Sequence, residues 1–303
     1  MHVISASRRT DIPAFHADWF INRIRAGHAG VFSPFGGGRS EVSLAPEEVI
    51  AIVFWTKDAG PILRSLDELR TRGYYFTFLY TINNYPVSLE PRVPNLGHTL
   101  QVLESLSERF PGPTLRWRYD TIVLTDVLDR KWHLQNFRYL CEKLSKYSRE
   151  CIFSFCDYYK KTIRNMESLV PNHIRPDEAF CKEMSEEMAE LADGQGISLA
   201  SCAHDHLVSS RIVKARCIDP DFLFQVADSV EKKQAVKKLK TSPTRKECGC
   251  AASFDIGAYD TCYHGCVYCY ANASPGRALE DRPVTDSESC CLDPRHGRAK
   301  QCN

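Results

Sequence analysis

Short apolar runs rich in β-branched and aromatic residues recur at 2–7, 51–56, 74–81, 114–119, 151–155, 197–201 and 253–258. Each has the length and composition of a strand, and a weaker candidate lies at 31–33. Between them, 14–26, 59–72, 97–109, 131–148 and 177–193 carry apolar residues at helical spacing. Pro46 followed by Glu47 and Glu48 predicts a helix start, with proline in the first turn and acids at the positive end of the dipole. Gly73 and Gly194 stand where C-terminal caps belong. Strands alternating with helices over this length predict an α/β fold with a parallel sheet. Seven or eight repeats predict a (β/α) barrel, complete or partial.

In such folds chemistry collects in the loops after the strands. Here Arg8, Arg9 and Asp11 follow the first strand, Lys57 the second, and Asn83 and Asn84 the third. Arg118 and Asp120 follow the fourth, Asp157, Tyr158 and Lys160 the fifth, and Cys202 and His204 the sixth. Any one of these could be a solvated loop residue, but as a set they favour one shared site. Arg8, Arg9, Asp11, Lys57, Arg118, Asp120 and Asp157 are therefore the candidate catalytic residues. The guanidinium groups of Arg8, Arg9, Arg116 and Arg118 suit an anion, because the fork binds carboxylate or phosphate in a bidentate way. The competing reading is salt bridging to Asp11 or Asp120 within the wall. Lys57 is either an electrostatic or acid group, or an exposed cation at a helix start.

The chain has 303 residues, a net charge of +1, 43% hydrophobic and 25% charged residues. Those values are ordinary for a globular chain and give no global pull toward nucleic acid or acidic membranes. No apolar run reaches the roughly 20 residues of a membrane helix. Arg8, Arg9 and Asp11 arrive too early for a signal peptide. The expected compartment is the cytoplasm. There, 14 cysteines are more often metal ligands or reactive groups than disulfides. None precedes Cys141.

Three of them, Cys262, Cys266 and Cys269, have C-x3-C-x2-C spacing with Tyr268 before the third. Thiolates favour zinc or iron–sulfur clusters. A cluster is normally held by four cysteines, so three in one loop leave one iron free for another ligand. His264 is a possible fourth ligand, expected instead to turn outward. Cys202, Cys217, Cys248 and Cys250 form a looser group in three segments. Gly249 allows a sharp turn between the last two. They could converge as a second iron–sulfur or zinc site, or simply be buried as small apolar residues. Cys141, Cys151, Cys156 and Cys181 fall within helix or strand patterns and read as core. Gly36-Gly37-Gly38 lacks the Lys-Ser/Thr of a phosphate loop and reads as a turn. The run 232–246 reads as a solvated helix and linker.

The cysteine loop resembles the signature of the radical SAM superfamily. More narrowly, Asp255-Ile-Gly-Ala-Tyr259-Asp-Thr, Tyr268-Cys-Tyr-Ala-Asn272, Ser5-Ala-Ser-Arg-Arg-Thr-Asp-Ile-Pro13 and Ile52-Val-Phe-Trp-Thr-Lys57 resemble the uncharacterised DUF1848 family. That resemblance runs from about Ile4 to Asn272. It implies a [4Fe–4S] cluster on Cys262, Cys266 and Cys269, with S-adenosylmethionine (SAM) on the fourth iron and a carbon radical as the product. It also implies an electron donor such as flavodoxin or ferredoxin. Tyr268 and Tyr270 would pack near the adenine or cluster, and Asn272 would bond the SAM ribose or the loop backbone. In most radical SAM proteins the loop follows the first strand, whereas here it follows the last. If 2–7 and 253–258 close one barrel, they lie side by side and the loop emerges beside Arg8-Arg9-Thr10-Asp11.

The expected architecture is one barrel domain over 1–272, with the cysteine-rich region at 202–272 and a flexible extension from 273. Cys290 and Cys291 of that extension could fold back onto a cluster. The expected function is a radical SAM enzyme acting on an unknown, anionic substrate. The alternative is a zinc- or iron–sulfur-binding structural or nucleic-acid-associated module without SAM chemistry; the loop's distant likeness to spore photoproduct lyase, a family both radical SAM and DNA-binding, sits between the two. The neutral charge and lack of an aromatic-rich basic motif count against nucleic acid.

Overall fold

The computed structural model describes residues 1–33, 38–112, 114–276 and 286–292. The first half runs β1 (His2–Ala6), α1 (Ile12–Phe15), α2 (Ala17–Ala26), β2 (His28–Phe32), β3 (Arg39–Ser43), β4 (Val49–Thr56), α3 (Leu66–Thr71), β5 (Phe76–Thr81), α4 (Leu96–Arg109), β6 (Leu115–Ile122) and β7 (Leu124–Thr125). The second runs α5 (Arg130–Leu144), β8 (Glu150–Phe155), α6 (Lys160–Leu169), β9 (His173–Ile174), α7 (Glu178–Asp193), β10 (Ser198–Ser201), β11 (Ile212–Lys214), α8 (Pro220–Val226), α9 (Val230–Lys237) and β12 (Phe254–Asp255).

Eight strands form one sheet in the order β11-β10-β8-β6-β5-β4-β1-β12, and every neighbouring pair is parallel. The expected parallel α/β fold is present, but a closed barrel is not. Among the described residues the two edge strands, β11 and β12, do not pair with each other. Closure depends on strand tilt and stagger rather than on strand count. The expected neighbourhood of the first and last strands does hold: Ile4 pairs with Phe254 and Ser5 with Asp255.

Alternation along the strands separates two faces. Phe54, Phe78, Trp117, Tyr119 and Phe153 join helix residues such as Trp19, Phe20, Leu106 and Phe137 in the main core. Val53, Leu79, Ile152 and Ala200 face the other way, with Trp55, Cys202, Cys217 and Cys250. Helix starts are fixed by acceptors on the backbone N–H groups of the first turn: Asn95 caps α4, Asp129 α5 and Asp177 α7.

Three local expectations need correction. Pro46-Glu47-Glu48 forms a turn rather than a helix, since β4 begins immediately at Val49. The 31–33 run belongs to an antiparallel pair, β2 with β3, outside the main sheet. The eighth strand of the sheet is β11, whose three residues were too few to show a pattern. Of the C-terminal extension, 286–292 docks on α2 and β2 through Trp19 Nε1 to the Ser289 carbonyl (2.8 Å) and Gly30 N to the Cys290 carbonyl (2.7 Å). Cys290 and Cys291 thus lie beside β2. Gly36, Gly37 and Cys302 lie outside the described residues. Among those residues, no helix is long and apolar enough to cross a membrane.

Candidate active site

The exits of β1 and β12 are tied by one carboxylate. Asp255 accepts from Ser5 Oγ (2.8 Å), Ser7 Oγ (2.6 Å), Arg8 N (2.8 Å) and Gly257 N (3.2 Å), and stands 3.9 Å from Arg9 Nε. Arg9 also donates to the Gly257 carbonyl at 3.4 Å and lies over the Tyr259 ring. Gly257 has no room for a side chain: a Cβ there would sit 2.1 Å from Ser7 Oγ and 2.5 Å from Ser7 Cβ.

Asp11 joins three elements. It caps α1 by accepting from Ala14 N (3.0 Å), and it takes Thr56 Oγ1 (2.7 Å) and Lys57 N (2.7 Å) at the exit of β4. Its Oδ2 also lies 2.8 Å from His264 Nε2. His264 is therefore buried against Asp11 and not turned outward as expected. A buried carboxylate with four internal partners orients the backbone around it.

The cysteine loop hangs from these anchors. Asn272 Nδ2 donates to the Cys262 carbonyl (2.6 Å), Val267 N to the Leu89 carbonyl (3.1 Å) and Arg92 N to the His264 carbonyl (3.1 Å). Gly265 lets the chain turn between His264 and Cys266 with φ 71°. Burial pushes the Cys262 thiol up to about 12 and raises Cys266 and Cys269 too. The three thiols lie within electrostatic reach of one another. Lys57 Nζ donates to Glu90 Oε1 (2.8 Å) and to the Tyr268 hydroxyl (3.1 Å). Burial opposes its charge, but Glu90 and Cys266 outweigh that and hold Lys57 above its ordinary value. Glu90 is correspondingly lowered: burial is outweighed by Lys57 and by bonds from Tyr268 and Asn83. Tyr268 is thus consumed in a buried polar network, while Tyr270 is 47% exposed and donates to the Arg8 carbonyl at 2.6 Å.

A model of the family described as "Domain of unknown function (DUF1848)" matches residues 3–271, which take in all of the eight-stranded sheet but its first residue, His2. The chain belongs to the DUF1848 family. No curated protein and no solved structure matches it.

The second thiol group of this DUF1848 chain does converge. Cys202 Sγ lies 3.9 Å from Cys217 Sγ, Cys217 neighbours Cys250, and Cys250 neighbours Cys248. The contact with Cys250, backbone N–H donors and the Thr244 hydroxyl bring Cys248 down to about 5. Arg245 reaches Cys202 Sγ at 3.5 Å and pairs with Asp157, which also faces His204 at 3.6 Å. Asp157 therefore belongs to this side of the sheet rather than to the cysteine loop. Arg116 does not join Arg118 on an anion. It is spent on Glu150 and on the carbonyls of Arg216 (2.9 Å) and Cys217 (3.1 Å). Among the described residues, no group of three or more His, Cys, Asp or Glu side chains is arranged to hold a metal ion as it stands.

Arg118 pairs with Asp120. Its guanidinium lies 4.9 Å from the Trp55 ring centroid, and that of Arg8 lies 5.1 Å from the same ring. Arg8 Nη2, Thr10 Oγ1, Trp55 Nε1, Arg118 Nε, Ser253 Oγ and Asn272 Oδ1 are buried without hydrogen-bond partners among the described residues. Most of these unmet atoms belong to segments around the strand exits. Trp55, Glu90, Arg245 and Asp255 were not singled out from sequence. Glu90 sits in an irregular, proline-rich segment, and Trp55 reads as one more apolar strand residue. Asp255, one residue after its strand's apolar start, could have been found by the rule that led to Asp120.

Proposed function

We propose that this chain is a radical SAM enzyme, with Cys262, Cys266 and Cys269 as ligands to three irons of a [4Fe–4S] cluster. The observation that supports this best is the loop's place. Three thiols, Cys266 buried and Cys262 and Cys269 half-buried, stand at the exits of a parallel sheet beside Lys57, and Asn272 Oδ1 nearby has no partner among the described residues. That donor set fits a thiolate-held cluster, because soft ligands are offered from a loop held by its backbone. When bound, the cluster and SAM would supply one-electron reductive cleavage of a carbon–sulfur bond. The chain's own residues bind, orient and exclude water. The Asp11–His264 contact fixes the loop's orientation. Lys57, kept charged by Glu90, places a cation beside Cys266 and offsets negative charge on a metallated loop. Asn272 Oδ1 can accept from a ligand hydroxyl, and Tyr270 borders the entrance.

Anaerobic reconstitution tests this reading. About four irons and four sulfides per chain are expected, lost on Cys266→Ala, with an EPR signal of the reduced protein that changes when SAM is added. Zinc alone, or a signal indifferent to SAM with no SAM cleavage, would refute it.

A second metal reading rests on the other thiols. Four sulfurs on a tetrahedron at the zinc–thiolate distance lie about 3.8 Å apart, close to the 3.9 Å between Cys202 and Cys217. Cys202, Cys217, Cys248 and Cys250 would then hold zinc or an auxiliary cluster. Metal retained by the Cys266→Ala protein and lost from Cys217→Ser would support it.

A further inference from the structure

Three strands bring unsatisfied donors to one indole ring. Trp55 lies near the end of β4, between β1 and β5 in the sheet, and Arg118 projects from β6. Arg8 follows β1, its backbone N–H held by Asp255 and its carbonyl by Tyr270. Both guanidinium groups lie over the Trp55 ring, at 5.1 and 4.9 Å. Arg8 Nη2, Arg118 Nε and the indole Nε1 are all buried without partners among the described residues. Buried N–H donors are nearly always satisfied, so three around one side chain mark an acceptor the protein does not itself supply.

The charges give the acceptor its sign. Arg118 is matched by Asp120, and Asp120 is further held by Ser154. Among the described residues, Arg8 has no carboxylate within ion-pair distance. One positive charge is left over, stacked on an aromatic face that shields it from water. Unpartnered donors and one net cation, with Asp120 already taken up by Arg118 and Ser154, describe an anion site.

We propose that Arg8, Trp55 and Arg118 form an anion subsite that takes a carboxylate or phosphate group with at least two acceptor oxygens. Its role in holding a reacting molecule rests on the enzyme reading above, but its affinity for an anion does not. Two sources share this chemistry: the carboxylate of SAM and an acidic group of the substrate.

Trp55 gives a direct readout. Its indole N–H is unpartnered among the described residues, whereas those of Trp19 and Trp117 are already bonded to carbonyls. In protein labelled with 15N-tryptophan, Trp55→Phe identifies the resonance. The full chain is then titrated with inorganic phosphate, glutarate and SAM. A saturable downfield shift of the Trp55 N–H is expected. Arg8→Gln should weaken binding by about ten- to a hundredfold, the range for a lost bond to a charged group. Arg64→Gln, at an exposed pair with Asp18, should leave it unchanged. Competition between phosphate and SAM would assign the subsite to SAM, and simultaneous binding would assign it to the substrate. If no anion moves the resonance, or Arg8→Gln and Arg8→Lys both bind as the parent does, the subsite is refuted. Loss of iron with anion binding intact would sink the cluster reading and leave the subsite standing.

Discussion

Replacing Asp255 by alanine removes the carboxylate that ties the exit of β1 to the segment leading into the cysteine loop. Four donors converge on it, two hydroxyls and the backbone N–H groups of Arg8 and Gly257. Ser5 and Ser7 can rotate their hydroxyls toward other acceptors, but the two backbone groups cannot. Each unsatisfied buried donor costs about 1–3 kcal/mol, so Asp255→Ala should lose about 2–6 kcal/mol. In Asp255→Asn, oxygen at the Oδ1 position still serves Ser7 and Gly257. The amide nitrogen at the other position then opposes the Arg8 N–H, and about half the loss is expected. Urea titration supplies the free energies, and hydrogen exchange at the Arg8 and Gly257 amides locates them. Iron content after reconstitution should fall with the same ranking. If Asp255→Ala unfolds within about 0.5 kcal/mol of the parent, with both amides still protected, the carboxylate does not carry this junction.

Gly257→Ala forces a methyl into the space of Ser7 Oγ. A loss of at least about 1–3 kcal/mol is expected, with Ser7→Gly/Gly257→Ala less destabilised than the sum of the two single changes. His133 is fully buried, near the Tyr119 hydroxyl at Nδ1 (2.8 Å) and the Val123 carbonyl at Nε2 (2.9 Å), and burial lowers it to about 4. Below pH ~6.5 the unfolded chain binds a proton that the folded chain refuses until about pH 4. Stability should therefore fall as pH drops through that window, by up to about 3 kcal/mol, and His133→Gln should remove that part of the slope. A urea midpoint of the parent that does not change relative to the variant between pH 7 and 4 would contradict this.

The strands that sequence exposed best were those with a long apolar run. β4 and β5 are buried along nearly their whole length, and their patterns admit no other reading. β12 was legible as part of the short apolar run 253–258, although only two residues pair. β11 has one buried residue in three and leaves no periodic trace. Barrel closure was over-read because alternation of strands and helices constrains order and parallel direction but says nothing about whether the edges meet. At the site, residue type pointed to the right segments but not to the right partners. Asp11 and Lys57 were expected to face substrate, yet the fold commits one to a cap and a loop anchor and the other to Glu90. Which partner each of the two strand arginines takes depends on the fold rather than on residue type: Glu150 from another strand claims Arg116, whereas Arg118 pairs with Asp120.

The position of β12, the last strand of the main sheet, also bears on how the protein is made. β1 bonds β4 on one side early in synthesis, but its other edge waits for a partner 250 residues downstream. An open strand edge is a template for unwanted pairing, and contacts this distant in sequence form late. The nascent chain therefore carries an exposed edge until β12 has left the ribosome. The thiols that cover the exit of that edge come together only then. If the loop holds metal as proposed, loading can begin only once this edge is covered, and a chain starved of iron would keep a loosely seated seam between β1 and β12.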